Sequence, residues 1–384
     1  MDQLSPFFES HLVFPPEHYH NHASCLVELP DGDLLLCWYH GSGERKADDV
    51  IVEGSRRKAG ATRWSERFLL ADTPNYPDCN PCMFLTRSGR LFLAYVTVLA
   101  HEWHTSVLKY RCSSSYGVVG APIWEYADVI HVDPGESFAR ELAAAGWKET
   151  EHRIAASDTD ESARTSREIR RRAQDTLYRL FGWMPRAHPL VLTSGRVVLP
   201  LYSDGFDLSL MALSDDEGLN WRASRPLVSL GGVQPSVVEK EDGSLVAYLR
   251  DNGRSPGWVM RSTSQDGGES WGEVTDTGIP NPGSGLEAVR LSSGSWIMVC
   301  NDTERGRNRL AVMLSEDQGA SWKHARYLEN DPPGPEAGSY SYPSVIESRD
   351  GSIHVSYSYH TAKDGGAIAW AHFNEAWLRA GLPL

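Results

Sequence analysis

The sequence predicts an all-β protein, a six-bladed β-propeller that carries one helical insertion. An eight-residue pattern, Ser-x-Asp-x-Gly-x-x-Trp, occurs three times, at 214–221, 264–271 and 315–322. Short Asp-Gly or Ser-Gly turns between apolar alternating runs occur six times, mostly about fifty residues apart. Each interval has room for four strands, and a four-stranded repeat of that length is typical of one propeller blade.

The hairpin turns set the positions of the blades. Successive turn glycines are separated by 57, 106, 48, 51 and 57 residues. We expect two-residue primed turns, in which glycine supplies the positive φ. Residues 1–384 are predicted to form one propeller, closed by pairing 11–16 with 367–378, because closure protects the sheet edges. The turn glycines are Gly32, Gly89, Gly195, Gly243, Gly294 and Gly351.

The three octapeptides have the composition of structural turns. The aspartate can accept hydrogen bonds from its own backbone, and the glycine permits the bend. The tryptophan that ends each copy is expected to pack between neighbouring sheets. We therefore assign no chemistry to this repeat.

The long interval between Gly89 and Gly195 contains helical signals. Asp133-Pro134 followed by Glu136 is typical of a helix start, with proline in the first turn and acids near the positive end of the dipole. The sequence therefore predicts a helical insertion over 133–180, between blades two and three. The apolar residues at helical spacing are Ile169, Ala173, Leu177 and Leu180.

Charge and composition exclude several classes of partner. The net charge of −14 repels phosphate backbones and anionic lipid, so we expect neither a nucleic-acid nor a membrane partner. The first thirty residues show no signal-peptide pattern and no run approaches eighteen apolar residues, so we expect a cytoplasmic protein. Cys79 and Cys82 have no second cysteine pair nearby, so we expect no metal site, and we expect no cofactor.

A ring of polar residues is predicted at the channel mouth, where the innermost strand of each blade should begin. Four of the six ring residues are directly followed by proline, a pattern that fits the first residue of a strand. Side chains that converge from six rigid elements can build a site, although a hydrogen-bonded polar plug is the alternative. The ring comprises His22, Asn80, His188, Gln234, Glu287 and Tyr342, and nearby lie Asp78, Arg186 and Tyr340.

The octapeptides, together with "GGVQPSVVEKEDGSLVAYLRD", "GSGLEAVRLSSGSWIMVCND" and "GSYSYPSVIESRDGSIHVSYSYH", resemble the sialidase superfamily. The likeness is to Asp-box (bacterial neuraminidase repeat) proteins of the predicted-neuraminidase type, and it extends over nearly the whole chain. It implies a six-bladed propeller with its site at the channel mouth. It also implies three arginines that bind a carboxylate, a tyrosine nucleophile helped by a glutamate, and an aspartate acid/base.

Carried over by position, the resemblance places Tyr342 at the nucleophile and Arg250 at one carboxylate-binding arginine. Arg307 matches another, with Arg305 and Arg309 as competitors. Two departures stand out. Gln234 occupies the position of the helper glutamate, and blade one has His20 and His22 where sialidases have an arginine. The acidic loop of blade one offers Asp48 or Asp49, and we take Asp49 as the catalytic aspartate.

The residue types support roles at this site. Glu287 could assist the Tyr342 phenol, and His22 or His188 could act as general acid or base near neutral pH. Arg186, Arg250 and Arg307 could bind a carboxylate bidentately. The remaining predicted substrate-binding residues are Asn80, Gln234, Asp78 and Tyr340.

Three functions fit this inventory, and all have carbohydrate as partner. We favour a sialidase-like glycoside hydrolase acting on an exo-linked, acidic sugar. The first alternative is a uronate lyase that uses a His/Tyr pair and needs no helper glutamate. The second is a glycan-binding propeller without catalysis. A saturated reducing sugar as product indicates the hydrolase, an ultraviolet-absorbing unsaturated product indicates the lyase, and binding without product indicates the third.

Overall fold

Six antiparallel sheets form the propeller in the computed structural model, which describes residues 5–144, 159–229, 231–253 and 255–381. Blade one contains β2 (His20–Glu28), β3 (Leu34–Gly41), β4 (Ile51–Arg57) and β5 (Phe68–Ala71). Blade two contains β6 (Asp78–Leu85), β7 (Leu91–Val98), β8 (Ser106–Ser113) and β9 (Tyr126–Val129). Blade three contains β10 (Met184–Pro185), β11 (Leu190–Val191), β12 (Val197–Ser203), β13 (Leu208–Ser214) and β14 (Arg222–Ala223).

The other three blades follow the same pattern, and the predicted six-bladed propeller is confirmed. Blade four contains β15 (Gly232–Glu239), β16 (Leu245–Asp251), β17 (Trp258–Ser264) and β18 (Thr275–Pro280). Blade five contains β19 (Glu287–Arg290), β20 (Trp296–Cys300), β21 (Arg309–Ser315) and β22 (Lys323–Asn330). Blade six contains β23 (Ser339–Glu347), β24 (Ile353–Thr361), β25 (Gly365–Phe373) and the N-terminal β1 (Phe8–Leu12).

The two ends of the chain close the ring. Strand β1 pairs antiparallel with β25, from Phe8 opposite Phe373 to Leu12 opposite Ala369. Closure by chain-end strands is as predicted, although the N-terminal strand begins three residues before the expected 11–16 segment.

The hairpin turns differ from the predicted two-residue type. In blade one, the Leu29 amide donates to the Asp33 carbonyl (2.8 Å) and the Gly32 amide donates to the Leu29 carbonyl (2.9 Å). All six hairpins repeat this pair of bonds, with glycine φ between +80° and +99°. They are three-residue loops in which a left-handed glycine follows a tight turn. Both loop types need glycine, so the sequence located the turns but gave the wrong type.

The octapeptides form the turns expected of them. The Ser214 hydroxyl donates to Asp216 and accepts from the Gly218 amide, both at 2.8 Å. The Asp216 carboxylate also accepts from the Asn220 amide at 2.8 Å. The same bonds recur in the copies that begin at Ser264 and Ser315.

Alanine at Gly319 is expected to destabilise the fold more than alanine at Gly243. Both glycines have positive φ (+79° and +82°), so the backbone strain of about 1–2 kcal/mol is shared. A Cβ at Gly319 would collide with the Tyr248 hydroxyl and the Trp296 ring, whereas one at Gly243 meets nothing within 4 Å. We expect about 1–3 kcal/mol of additional loss at Gly319, measured by urea denaturation. Equal losses would contradict tight packing of this turn.

Helices occupy the long interval between blades two and three. They are α1 (Ser137–Ala144), α2 (Thr159–Gln174) and α3 (Thr176–Leu180), and the C-terminal α4 (Glu375–Arg379) follows blade six. Part of the predicted insertion, 145–158, lies outside the described residues. Asp175 accepts a hydrogen bond from the Leu177 amide (2.9 Å) and starts α3, which leaves Leu177 exposed rather than on the predicted apolar face. None of the helices described here has the length and apolar character needed to cross a membrane.

Candidate active site

Four inner strands carry a β-bulge at equivalent positions. The register shifts within β2, β6, β15 and β23, and a residue with φ between +51° and +55° lies at each shift. A bulge leaves one residue unpaired and re-aims its side chain, so a proline that follows it breaks no ladder bond. Pro81, Pro235 and Pro343 therefore lie inside strands rather than at their start as predicted. Pro189 instead directly precedes β11, and the bulge of blade one is followed by a serine. The positive-φ residues are Ala23, Asn80, Gln234 and Tyr342.

Tyr342 lies at the centre of a cationic cluster. Arg250 Nη1 donates to its hydroxyl oxygen at 2.8 Å, and Gln234 Nε2 donates at 3.4 Å. The guanidinium carbons of Arg186 and Arg307 lie 4.9 and 5.3 Å from the centre of its ring. The His22 ring makes an edge contact with it, with ring centres 4.3 Å apart.

The charges around Tyr342 favour ionisation of its hydroxyl. Burial raises the pKa of the phenol. Arg250, Arg307 and Arg186, with the hydrogen bond from Gln234, lower the pKa by more than burial raises it. The net pKa therefore lies below the ordinary value of 10.0. A phenol with a lower pKa supplies more of the phenolate form near neutral pH, and the phenolate is the form that acts as a nucleophile.

The structure separates the three competing arginines. Arg307 lies over the Tyr342 ring and donates from Nη2 to the Gly283 carbonyl at 3.0 Å. Arg305 is exposed, and Arg309 forms an ion pair with Asp302 at 3.4 Å. Of these three arginines, Arg307 is therefore the one placed at Tyr342.

Hydrogen bonds orient the guanidinium of Arg250. Its Nη2 donates to Asn252 Oδ1 at 3.0 Å, and Asn252 Nδ2 donates in turn to Asp207 Oδ1 at 2.9 Å. Arg250 therefore binds the Tyr342 hydroxyl from a fixed position.

His188 and Glu287 form a polar plug with Cys25 deeper in the channel. Glu287 Oε1 accepts from His188 Nδ1 at 2.9 Å and from the His188 amide at 2.6 Å, while Oε2 accepts from the Val345 amide at 2.7 Å. His188 Nε2 lies 2.7 Å from the Leu26 carbonyl oxygen and 3.2 Å from Cys25 Sγ. The alternative of a polar plug thus describes these two residues, and both carboxylate oxygens of Glu287 are engaged away from the Tyr342 hydroxyl.

The proton positions in the plug follow from its acceptors. A carbonyl oxygen cannot donate, so His188 Nε2 carries a hydrogen, and the Glu287 carboxylate requires another on Nδ1. Burial lowers the pKa of His188, but the neighbouring Cys25 and Glu287 raise it well above 6.5. His188 is therefore an imidazolium paired with a buried carboxylate.

Three predicted site residues make their hydrogen bonds elsewhere. The Tyr340 hydroxyl donates to Asp331 at 2.7 Å, and Asp78 accepts from the Thr97 hydroxyl at 2.5 Å. Asp49 is exposed and accepts from the Ser42 amide and hydroxyl. Asn80 lies nearer the site, since its Nδ2 donates to the Tyr202 hydroxyl at 3.0 Å. Burial, followed by the charges of Asp204 and Tyr342, raises the pKa of Tyr202 well above 10.0.

Two acids of the mouth were missed from sequence. Glu44 accepts from the Tyr39 hydroxyl at 2.9 Å, and the His20 side chain lowers its pKa to about 2. Asp204 is solvent-exposed, but its carboxyl is partly desolvated and interacts with Arg250 and Asp207. Desolvation raises its pKa to about 6. Asp204 directly follows β12, and the second strand of each blade returns to the mouth. The polar residues that end those strands were the available signal.

Comparison with a family sequence model identifies the family to which the chain belongs. The sequence model of the BNR repeat-like domain matches residues 32–140 and 141–355. The chain belongs to this BNR repeat-like family. It is 29% identical over 175 residues to a sialidase of Micromonospora viridifaciens, covering 43% of this chain and 25% of that protein. It is 30% identical over 193 residues to an anhydrosialidase of Macrobdella decora, covering 43% of this chain and 23% of that protein.

Solved structures share the fold of this BNR-repeat protein. The NanB sialidase from Streptococcus pneumoniae superposes with a TM-score of 0.68 at 13% identity, covering 96% of this chain and 71% of that chain. The intramolecular trans-sialidase from Ruminococcus gnavus superposes with a TM-score of 0.68 at 14% identity, covering 96% of this chain and 97% of that chain. A Dyadobacter fermentans protein of unknown function superposes with a TM-score of 0.68 at 16% identity, covering 95% of this chain and 98% of that chain. At these identities the likeness establishes the propeller fold alone, and the chain spans about a quarter of its curated relatives.

Proposed function

We propose that this BNR-repeat protein is a sialidase-like glycoside hydrolase that removes an exo-linked acidic sugar at the channel mouth. The observation that carries the proposal is the Tyr342 hydroxyl held 2.8 Å from Arg250, with Arg307 over the same ring. Two half-buried arginines beside a phenol can bind a carboxylate next to a nucleophile. The names of two relatives, a sialidase and an anhydrosialidase, agree with this chemistry.

The proposed reaction has two steps. Arg250 and Arg307 bind the sugar carboxylate. Tyr342, which has already lost its proton to solvent, attacks the anomeric carbon through its phenolate oxygen as the glycosidic bond breaks. Asp204 gives a proton to the leaving oxygen. Water then attacks the anomeric carbon, losing its proton to Asp204 and releasing Tyr342. A tyrosine nucleophile fits this substrate class, because sialidases with a tyrosine nucleophile are an exception to hydrolysis by paired carboxylates.

Asp204→Asn is expected to lower kcat/KM by about 10²–10⁴-fold, because it removes the proposed general acid. Since the wild-type acid must be protonated, activity should fall as pH rises above its pKa of about 6. The variant should lose that limb of the pH profile. Asp49→Asn is the matched control, because Asp49 is exposed and hydrogen-bonded to Ser42. Loss of the limb in the control instead would return the acid role to Asp49.

A glycoside panel tests the function directly. Purified protein is incubated with sialyl, uronyl and deoxy-sugar glycosides, and products are followed by reducing-sugar assay and ultraviolet absorbance. Release of a saturated acidic sugar supports the proposal. Failure to cleave any of these glycosides, with binding retained, favours a glycan-binding propeller instead.

A uronate lyase is the second candidate, favoured by the absence of a carboxylate from the Tyr342 hydroxyl's hydrogen-bond partners in the described chain. Burial, followed by His20, lowers the pKa of His22 well below 6.5, so this imidazole is neutral and can accept a proton near neutral pH. The His22 ring contacts the ring of Tyr342, and the Tyr342 hydroxyl would be the paired acid. An unsaturated, ultraviolet-absorbing product would identify this reaction.

A further inference from the structure

We propose that Arg186 is a positioning residue that stabilises the ionised form of Tyr342 and so replaces the helper carboxylate that Gln234 lacks. The catalytic meaning of this inference rests on the proposed function. The electrostatic statement about Tyr342 does not, and it can be measured without substrate.

Arg186 reaches Tyr342 from across the channel. It follows β10 in blade three, where the inner strand is interrupted, and its Nη2 donates to the Pro343 carbonyl of blade six at 2.9 Å. The side chain is buried, with 2% of its surface exposed, and its guanidinium carbon lies 4.9 Å from the Tyr342 ring centre. It therefore acts from within the protein, behind the surface that meets substrate.

The buried charge of Arg186 needs a negative partner. Within the described chain no carboxylate lies within ion-pair distance of Arg186, and its Nε has no hydrogen-bond partner. Its charge still reaches the buried Glu287 carboxylate, whose pKa is raised by burial and lowered by His188 and then by Arg186. An unpaired buried cation is costly, and the face of an aromatic ring offers partial compensation. An ionised phenol adds a full negative charge beside the guanidinium, so the two groups stabilise each other.

Gln234 cannot assist the phenol as a base. Its amide nitrogen donates to the phenolic oxygen at 3.4 Å, and an amide does not accept the proton. Ionisation must therefore be driven by surrounding charge, with the proton released to solvent. The titratable or charged groups that face Tyr342 are Arg186, Arg250, Arg307, His22, Tyr39 and Tyr202.

The two neighbouring phenols respond in the opposite direction. Burial raises the pKa of Tyr39 and of Tyr202 well above 10.0, and the charge of Tyr342 raises both further. Tyr342 alone among the three is therefore expected to ionise early, so its titration can be isolated by difference.

The test is an ultraviolet titration of tyrosinate absorbance, with Tyr342→Phe subtracted from wild type to remove the other tyrosines. We expect one phenol to titrate below the ordinary value near ~10. Arg186→Met, which keeps the packing and removes the charge, should raise that midpoint by about 1 unit or more. Arg307→Met should raise the midpoint at least as much, because the charge of Arg307 lowers the pKa of Tyr342 more than that of Arg186 does. For each arginine variant, the same change combined with Tyr342→Phe is subtracted.

Arg309→Met is the matched control, because Arg309 pairs with Asp302 and lies over Tyr327. It should leave the midpoint unchanged. A normal midpoint in wild type, or a folded Arg186→Met variant with an unshifted midpoint, overturns the proposal. If Arg186→Met fails to fold, Arg186→Lys decides. Lysine keeps the charge without the planar guanidinium. A midpoint that stays as low as in wild type supports a role for charge, whereas a midpoint near the ordinary value of ~10 contradicts it.

The same measurements separate this inference from the proposed function. A low, arginine-dependent midpoint without glycoside cleavage supports the inference and contradicts the hydrolase. Cleavage that depends on Tyr342 with an ordinary midpoint supports the hydrolase and contradicts the inference.

Discussion

Tyr342→Phe is expected to lower kcat by at least about 10³-fold while leaving substrate affinity within a few-fold. Losing the nucleophile of a covalent mechanism costs as much as about 10⁶-fold in a serine protease. The substitution removes a single oxygen, so the ring remains available to Arg186 and Arg307. Substrate binding should persist because Arg250 is released from the phenol and keeps its bond to Asn252. Steady-state kinetics on the best panel substrate and calorimetric binding measure the two effects.

Tyr340→Phe is the matched control for that substitution. Tyr340 lies two residues earlier on the same strand, but its hydroxyl donates to Asp331 and its ring packs on Tyr359. Its loss should cost about 1 kcal/mol of stability from one hydrogen bond and leave kcat unchanged. Full activity in Tyr342→Phe would remove Tyr342 from the chemistry, and equal loss in both variants would indicate a structural effect of strand β23.

The propeller was predictable because its signals are local and repeated. Each hairpin glycine and each octapeptide depends on residues within a few positions, and the fifty-residue spacing reports the blades directly. The turn type was missed because a primed turn and a three-residue loop place glycine at the same sequence position. The β-bulges were missed because Asn-Pro, Gln-Pro and Tyr-Pro also fit the start of a strand.

The site was predictable only where the blade repeat specifies which way a side chain points. Tyr342, Gln234, Arg250 and Arg307 come together as expected from the resemblance. In a regular strand Tyr340 and Tyr342 would share a face, but the bulge after Ser341 turns Tyr342 away from the side where Tyr340 packs. Asp204 was missed because the predicted ring comprises only residues at the start of each innermost strand, whereas Asp204 directly follows the second strand of its blade.

Glu287→Gln is expected to lower the free energy of unfolding by about 3–5 kcal/mol. It keeps the side-chain shape but leaves the buried His188 imidazolium without its carboxylate, and breaking a buried ion pair from one side has that cost. The pair also joins blades three and five, and the Val345 amide ties it to blade six. Chemical denaturation measures the loss. Glu239→Gln is the control, because Glu239 accepts hydrogen bonds from the exposed Thr193 and should lose less than about 1 kcal/mol.

The pH dependence of that stability difference distinguishes an ion pair from a neutral hydrogen bond. The pKa of His188 is raised in the folded protein, so its contribution is fully present below about 6.5 and is lost as pH rises through the raised value. The pKa of Glu287 is lowered, with burial opposing and His188 producing the shift, so its contribution is present above about 4.5 and lost as pH falls through the lowered value. The difference between wild type and Glu287→Gln should therefore be largest between these limits and shrink at alkaline pH. A difference that stays constant from acid to alkaline pH would mean that His188 is neutral, and the buried pair would then be a simple hydrogen bond.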